Sequence, residues 1–226
     1  MVYAYYPGCS LKGSAKKLDV GIRKVFGVLG MHLEEIPDWN CCGAVEYGDA
    51  SEIRSMSRKN LFKALKVSTR IIAPCPLCSK NLKESDGSGE FSILHPLDVL
   101  SLDFLMSIPA KKDLKGYVIT PYYGCLLLRP KETAIKDKEI MEKVILSFGG
   151  QVAGEEIKDK CCGGNKFFVD KEIVYKLSKI VLKKSSPFIV VFCPLCHMVL
   201  KTFSEGQKVL YFTDLILYIL GEKKEL

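Results

Sequence analysis

The chain has 226 residues, 48% of them hydrophobic and 26% charged, long enough to bury an ordinary core without staples. The net charge of +7 sets 33 lysines and arginines against 26 carboxylates. Only five of the bases are arginine (Arg23, Arg54, Arg58, Arg70, Arg129) and they are scattered, so the clustered arginines and stacking aromatics of a nucleic-acid reader are missing and no nucleic-acid partner is expected.

The chain opens on MVYAYYPGCS, without the basic start and apolar stretch of a secretory signal, which points to a cytoplasmic protein. Val2 to Tyr6 reads as a strand; Ala15, Leu18, Ile22, Val25 and Leu29 then mark one helical face. Leu33 to Ile36 reads as a second strand, weakened by Glu34 and Glu35. Ile53, Met56, Leu61, Ala64 and Leu65 mark another helix, and Arg70 to Ala73 a buried strand running into Cys75. The charged, turn-prone stretch from Ile108 to Gly116 reads as a join. Beyond it the alternation resumes with Tyr117 to Thr120, a stripe of Ile140, Val144 and Phe148, a stripe of Ile173, Leu177 and Ile180, and Phe188 to Phe192. The last apolar run, Leu215 to Leu220, is assigned to the core; it is far shorter than the roughly 20 residues of a membrane span, and none is expected. Alternating strands and helices predict an α/β fold with parallel sheets flanked by helices, with sites at strand ends and helix starts.

The ten cysteines repeat one order. A singlet, a vicinal pair and a C-x-x-C stand at Cys9, Cys41, Cys42, Cys75 and Cys78, then again at Cys125, Cys161, Cys162, Cys193 and Cys196. Equivalent cysteines lie 116 to 120 residues apart, and Gly8-Cys9, Cys41-Cys42-Gly43 and Cys75-Pro76-Leu77-Cys78 recur as Gly124-Cys125, Cys161-Cys162-Gly163 and Cys193-Pro194-Leu195-Cys196. This is an internal duplication. It predicts two pseudo-symmetric lobes, residues 1–112 and 113–226, each a small parallel-type sheet flanked by helices.

Three chemistries compete for five cysteines per lobe. Disulfides suit neither a reducing compartment nor an odd number. A structural zinc takes four ligands at roughly 2.3 Å, one fewer than offered, and adjacent side chains diverge along extended backbone. A polynuclear iron–sulfur centre spreads its metals apart, so neighbouring cysteines can reach different irons. Glycines beside the cysteines allow close backbone approach, and Pro76 and Pro194 mark first helical turns whose positive ends face the thiols. The histidines His32, His95 and His197 have no histidine counterparts in the other repeat, which excludes a ligand role shared by both lobes; His197, beside Cys196, is the one singled out for test. Asp98 and Asp214 correspond across the repeat and read as helix-start residues. No catalytic side chain is assigned. Lys12, Lys16, Arg129 and Lys166 are candidates for anchoring an anionic substrate.

The duplicated order of Cys, Cys-Cys-Gly and Cys-x-x-Cys resembles the CCG domain of the heterodisulfide reductase B-type family and its relatives, over nearly the whole chain. The resemblance implies two noncubane [4Fe-4S] clusters, one per lobe, each held by the five cysteines just named. In that family the disulfide linking coenzyme M to coenzyme B is reduced between the clusters. It also implies a ferredoxin-like iron–sulfur subunit (of the C type), a flavin-containing subunit (of the A type) and a small anionic thiol or disulfide substrate. One departure stands out: 32 and 30 residues separate the vicinal pairs from the C-x-x-C motifs, fewer than is usual there, which leaves the substrate open. The resemblance thus implies an enzyme, the disulfide reductase subunit of a complex, that cleaves or forms a thiol heterodisulfide between its two clusters. Two alternatives remain: an electron-transfer CCG subunit of a lactate-, glycolate- or succinate-oxidising complex, and a zinc-bound structural module.

Overall fold

The computed structural model describes residues 2–44 and 49–226. By their contacts these form two units, one of the residues up to Val99 with Arg129–Lys136, the other of Leu100–Leu128 with Asp137–Leu226.

The first unit runs β1 (Val2–Tyr5), α1 (Gly8–Lys12), α2 (Lys16–Val28), β2 (His32–Glu35), α3 (Ala50–Ala64), β3 (Arg70–Ile72), α4 (Pro76–Ser85), β4 (Ser92–Leu94) and α5 (Pro96–Val99). Its four strands are parallel in the order β2-β1-β3-β4. Ala4, Ile71, Ala73, Leu61, Leu82 and Ile93 form much of the core. The predicted stripe of α2 faces inward at Leu18, Ile22 and Val25. Glu34 and Glu35 are tolerated in β2 because it is an edge strand: Glu35 accepts hydrogen bonds from Arg23 at 2.7 Å and Trp39 at 3.0 Å.

The second unit runs α6 (Leu102–Met106), β5 (Val118–Tyr122), α7 (Cys125–Leu128), α8 (Ile140–Ser147) and β6 (Gln151–Val152), then two 3-10 turns (Glu155–Ile157 and Gly164–Lys166). It continues through α9 (Lys171–Lys183), β7 (Phe188–Val191), α10 (Pro194–Phe203), β8 (Lys208–Tyr211) and α11 (Phe212–Ile219). Again four parallel strands stand in equivalent order, β6-β5-β7-β8. Ile189, Val190 and Val191 of β7 are fully buried, the mark of a strand covered on both faces. The run from Leu215 to Leu220 does enter the core, only Tyr218 remaining half-exposed.

The fold is therefore α/β, with two similar repeats. The fourth strands, β4 and β8, escaped the sequence reading because Ser92-Ile93-Leu94 is short and Lys208 to Tyr211 has no alternation to mark it. Two stripes were partly misassigned, the first at Leu65, which is exposed at the end of α3. Val174, Ser178, Val181 and Leu182 are the buried side of α9, whereas Ile173 and Ile180 are exposed. Asp98 and Asp214 do act at helix starts: their Oδ2 atoms accept hydrogen bonds from the backbone N–H of His95 at 2.9 Å and Tyr211 at 3.0 Å.

Candidate metal centre

In both sheets the chain passes from one side of its first strand to the other, so the strand order switches direction between β1 and β3, and between β5 and β7. Open α/β sheets bind ligands in the crevice at such a switch point, beyond the carboxyl ends of the strands. Cys9 and Cys75 lie just past β1 and β3, and Cys125 and Cys193 just past β5 and β7. The vicinal pairs arrive on the loops that follow β2 and β6. Cys75 and Cys193 are the N-cap residues of α4 and α10, with Pro76 and Pro194 at the first helical position and Cys78 and Cys196 inside the first turn.

The thiols are drawn together. Cys42 and Cys78 have their Sγ atoms 3.1 Å apart, and Cys162 and Cys196 theirs 3.4 Å apart. Cys41 and Cys75 lie near enough to Cys42 and Cys78 to shift their acidities; in the second unit Cys161 lies near enough to Cys125, and Cys193 to Cys196, to do the same. All ten are free thiols. Cys42, Cys75, Cys78, Cys162, Cys193 and Cys196 are buried, whereas Cys9 and Cys161 are exposed, so each group is sunk in its unit and open at one edge. The contacts are pairwise: among the described residues no three His, Cys, Asp or Glu side chains stand ready for a metal ion.

Crowding splits their acidities. Hydrogen bonds from Cys41 and Cys78 push Cys42 down to about 4, and the bond with Cys196 lowers Cys162 in the same way. The donors move oppositely: the bond to Cys42 raises Cys41 and Cys78, and that to Cys162 raises Cys196, with burial adding to each. Cys75 is lowered as well, by its bond with Cys78, so in the first unit two thiols are favoured as thiolates at the expense of the others. Ionising the rest requires a polycation in their midst.

The surroundings fit such a guest. Gly8 and Gly124 hold positive φ of 71° and 68°, and a Cβ on either would come within 3.1 Å of the sulfur of Cys78 or Cys196. Only glycine makes both the turn and the clearance. The backbone N–H groups of Gly43 and Gly163 point at the sulfurs of Cys41 and Cys161, at 3.4 Å and 3.3 Å. An all-sulfur donor set lined with N–H groups suits an iron–sulfur centre.

The chain matches the CCG family, described as a cysteine-rich domain, twice, over residues 3–83 and 119–201. It belongs to that family. The cysteine-rich domain suggests iron–sulfur clusters. A curated relative is the 8-methylmenaquinol:fumarate reductase membrane anchor subunit of Wolinella succinogenes, 25% identical over 92% of this chain and 84% of its own length. That relative carries the name of a fumarate reductase subunit, not of a heterodisulfide reductase. Among solved structures, a glutamate racemase isoform from Bacillus anthracis aligns at 12% identity over 98% of this chain and 80% of its own, with a TM-score of 0.40. An ABC transporter solute-binding protein from Conexibacter woesei aligns at 10% identity over 89% and 67%, with a TM-score of 0.26. At these values neither structure says anything about the CCG units. No helix among the described residues is long and apolar enough to cross a membrane.

Two residues that the motif does not name hold each CCG loop to its sheet. Tyr6, at the end of β1, donates its hydroxyl to the carbonyl of Asn40 at 2.7 Å, and Tyr122, the last residue of β5, donates to the carbonyl of Lys160 at 2.6 Å. Both carbonyls immediately precede a vicinal pair. The signal was present in the sequence as Tyr6-Pro7-Gly8-Cys9 and Tyr122-Tyr123-Gly124-Cys125, but a strand-end aromatic looks like core. The first unit adds polar pins: Asn60 accepts from the N–H of Asn40 and donates to its carbonyl, at 2.8 Å and 3.0 Å. Ser57 and Asn81 donate to the carbonyl of Cys42 at 2.9 Å and 3.0 Å. His95 is buried; its Nδ1 accepts from the N–H of Leu97, so Nε2 carries the proton and donates to the carbonyl of Pro74 at 2.9 Å, next to Cys75. His197 lies edge-on to Tyr211, with ring centroids 6.0 Å apart, and burial lowers its pKa. Of the four candidate anchors, Lys12 is ion-paired with Glu35 at 2.8 Å, Lys16 begins α2, Arg129 follows α7, and Lys166 ends the 3-10 turn after the second vicinal pair.

Asn60→Ala removes both bonds to Asn40 from a fully buried position, and denaturant unfolding of the metal-free protein is expected to show a loss of about 2 kcal/mol. Tyr122→Phe is expected to cost about 1 kcal/mol and to speed alkylation of Cys161 and Cys162 in metal-free protein while leaving Cys9 at the wild-type rate. Equal rates at all three would show that the hydroxyl does not hold the loop.

Proposed function

We propose that this chain is the iron–sulfur-carrying subunit of a larger oxidoreductase complex, and that each unit holds one four-iron cluster through its five cysteines: Cys9, Cys41, Cys42, Cys75 and Cys78 in the first, Cys125, Cys161, Cys162, Cys193 and Cys196 in the second. The proposal is supported by the placement of each unit's cysteines just past the strands that flank its switch point, with Cys42 against Cys78 and Cys162 against Cys196, in a chain of the CCG family. When bound, such a cluster supplies a reversible one-electron step. The protein's residues do the rest. The cysteines supply the thiolates, the N–H groups of Gly43 and Gly163 favour the charged sulfurs of Cys41 and Cys161, and Tyr6 and Tyr122 fix the loops that present the pairs. Burial of six of the ten sulfurs keeps water from the interior side, and the exposed edge at Cys9 and Cys161 leaves a route for electrons.

Electron transfer within a complex is the favoured reading because the curated relative is a fumarate reductase subunit. The relative is also named a membrane anchor subunit, and anchoring is assigned to this chain as well. As no described helix crosses a membrane, anchoring by this chain is attachment at a membrane surface. The partners we assign are a ferredoxin-like iron–sulfur subunit together with a flavin-containing subunit.

A second reading rests on the completeness of both cysteine sets. Two one-electron centres per chain match the two electrons and two protons that convert a disulfide into two thiols, so a reductase acting on a small anionic disulfide is the alternative. A radical signal that appears on oxidation and changes on adding thiol would favour it; a signal indifferent to thiols favours electron relay.

Anaerobically purified protein is expected to carry roughly eight irons and eight acid-labile sulfides per chain. Cys42→Ser and Cys162→Ser are each expected to lose about half of that iron or more. Zinc in place of iron contradicts the proposal.

A further inference from the structure

The stripe of α9 that does not face the core needs an occupant. Phe168 and Val169 are 81% and 68% exposed, and Ile173, Tyr175 and Ile180 are 44%, 47% and 51% exposed. Ile173, Leu177 and Ile180 recur at helical spacing beside the buried side of Val174, Ser178 and Val181, so α9 carries two apolar faces where a surface helix needs one. The exposed tip is not a frayed end. Phe167 lies edge-on to Phe168 and tilted against Phe203, with centroids 5.2 Å and 6.3 Å apart. The carboxylate of Asp170 accepts the N–H of Ile173 at 3.0 Å and caps the helix.

The duplication supplies an internal control. In the first unit α3 takes the place of α9, following its own vicinal pair, and turns Ser51, Glu52, Arg54, Ser55, Arg58 and Lys59 to solvent, with Phe62 and, just past its end, Leu65 as its exposed large apolar residues. Over its first two turns that outer face is polar, so the exposed apolar run at the start of α9 is not a requirement of the fold. The apolar residues of the second unit are accompanied by base: from Lys166 to Lys184 the sequence holds six lysines and two carboxylates, and the lysines stay in excess although Lys176 pairs with Glu172, Lys179 with Glu205 and Lys184 with Glu156. That excess repels a second copy of the same face. It complements a layer of phosphate headgroups, where lysine stems lie along apolar surface and ammonium groups stay in the polar zone.

Resting on the reading of the chain as a surface-attached subunit, we propose that α9 and the turn from Phe167 to Asp170 are its membrane-contact surface, seated on a bilayer containing anionic lipid. Phe168, Val169, Ile173 and Ile180 enter the headgroup–acyl boundary. Lys171 and Lys183 meet the phosphates. Because Phe168 is seven residues beyond Cys161, the contact lies close in sequence to the second cysteine group.

The test is co-sedimentation of the full chain with vesicles of phosphatidylcholine alone and of phosphatidylcholine mixed with phosphatidylglycerol, with iron assayed in the same preparations. The expected result is binding to the mixed vesicles that weakens with salt. Phe168→Asp combined with Ile180→Asp should lower partitioning by about tenfold or more, whereas Phe62→Asp, at an exposed position of α3, should leave it unchanged. Wild-type protein that stays in the supernatant with both vesicle types overturns the proposal and assigns the face to a protein partner. The double variant binding as tightly as wild type, or Phe62→Asp losing as much, also overturns it. Iron-loaded protein that ignores vesicles refutes the contact surface alone; iron-free protein that binds them refutes the cluster reading alone.

Discussion

Thiolates repel one another, and sinking several of them side by side into a protein is possible only if something positive sits among them. In this chain Cys42 and Cys75 in the first unit, and Cys162 in the second, have their acidity strengthened while that of Cys41, Cys78 and Cys196 is weakened, a compromise in which protons do the work of a counter-charge. The remaining architecture serves that crowding. Parallel strands bring two cysteines to one crevice from different parts of the chain, glycine at Gly8 and Gly124 makes room beside the innermost sulfurs, and helix starts at Cys75 and Cys193 turn their positive ends inward.

Much of this was legible in the sequence because cysteine spacing records topology. A strand ending in a cysteine, followed by a helix stripe, is a local pattern, and β1, β3, β5 and β7 were all readable from it. So were the proline-started helices at Pro76 and Pro194. What escaped was non-local. Tyr6 and Tyr122 look like ordinary strand-end aromatics until the loop carbonyls they bond are brought close from 34 and 38 residues away. His95 reads as an isolated histidine, and its bond to the carbonyl of Pro74 requires β4 to lie beside β3. The stripe of Ile173, Leu177 and Ile180 was misassigned because periodicity shows that a face is apolar without showing what covers it.

The two repeats have diverged around a shared core. The first unit secures its vicinal pair with side chains, Asn60, Ser57 and Asn81. The second relies more on backbone: the N–H groups of Tyr123 and Gly124 both reach the carbonyl of Lys158, at 3.1 Å and 3.0 Å. His95 in one stands where Tyr211 stands in the other, each starting a short helix whose aspartate reaches back to it. Under the proposed reading, equal sulfur sets in unequal surroundings would give two centres of different potential.

The central claim is that each group of five sulfurs surrounds several metals at once. Iron-edge X-ray absorption on oxygen-free, as-isolated protein tests it most directly. The account predicts a first shell made of sulfur and a second shell of iron, because the metals of a cluster are neighbours of one another. An absorber with no metal neighbour, or one ringed by nitrogen and oxygen, would contradict it.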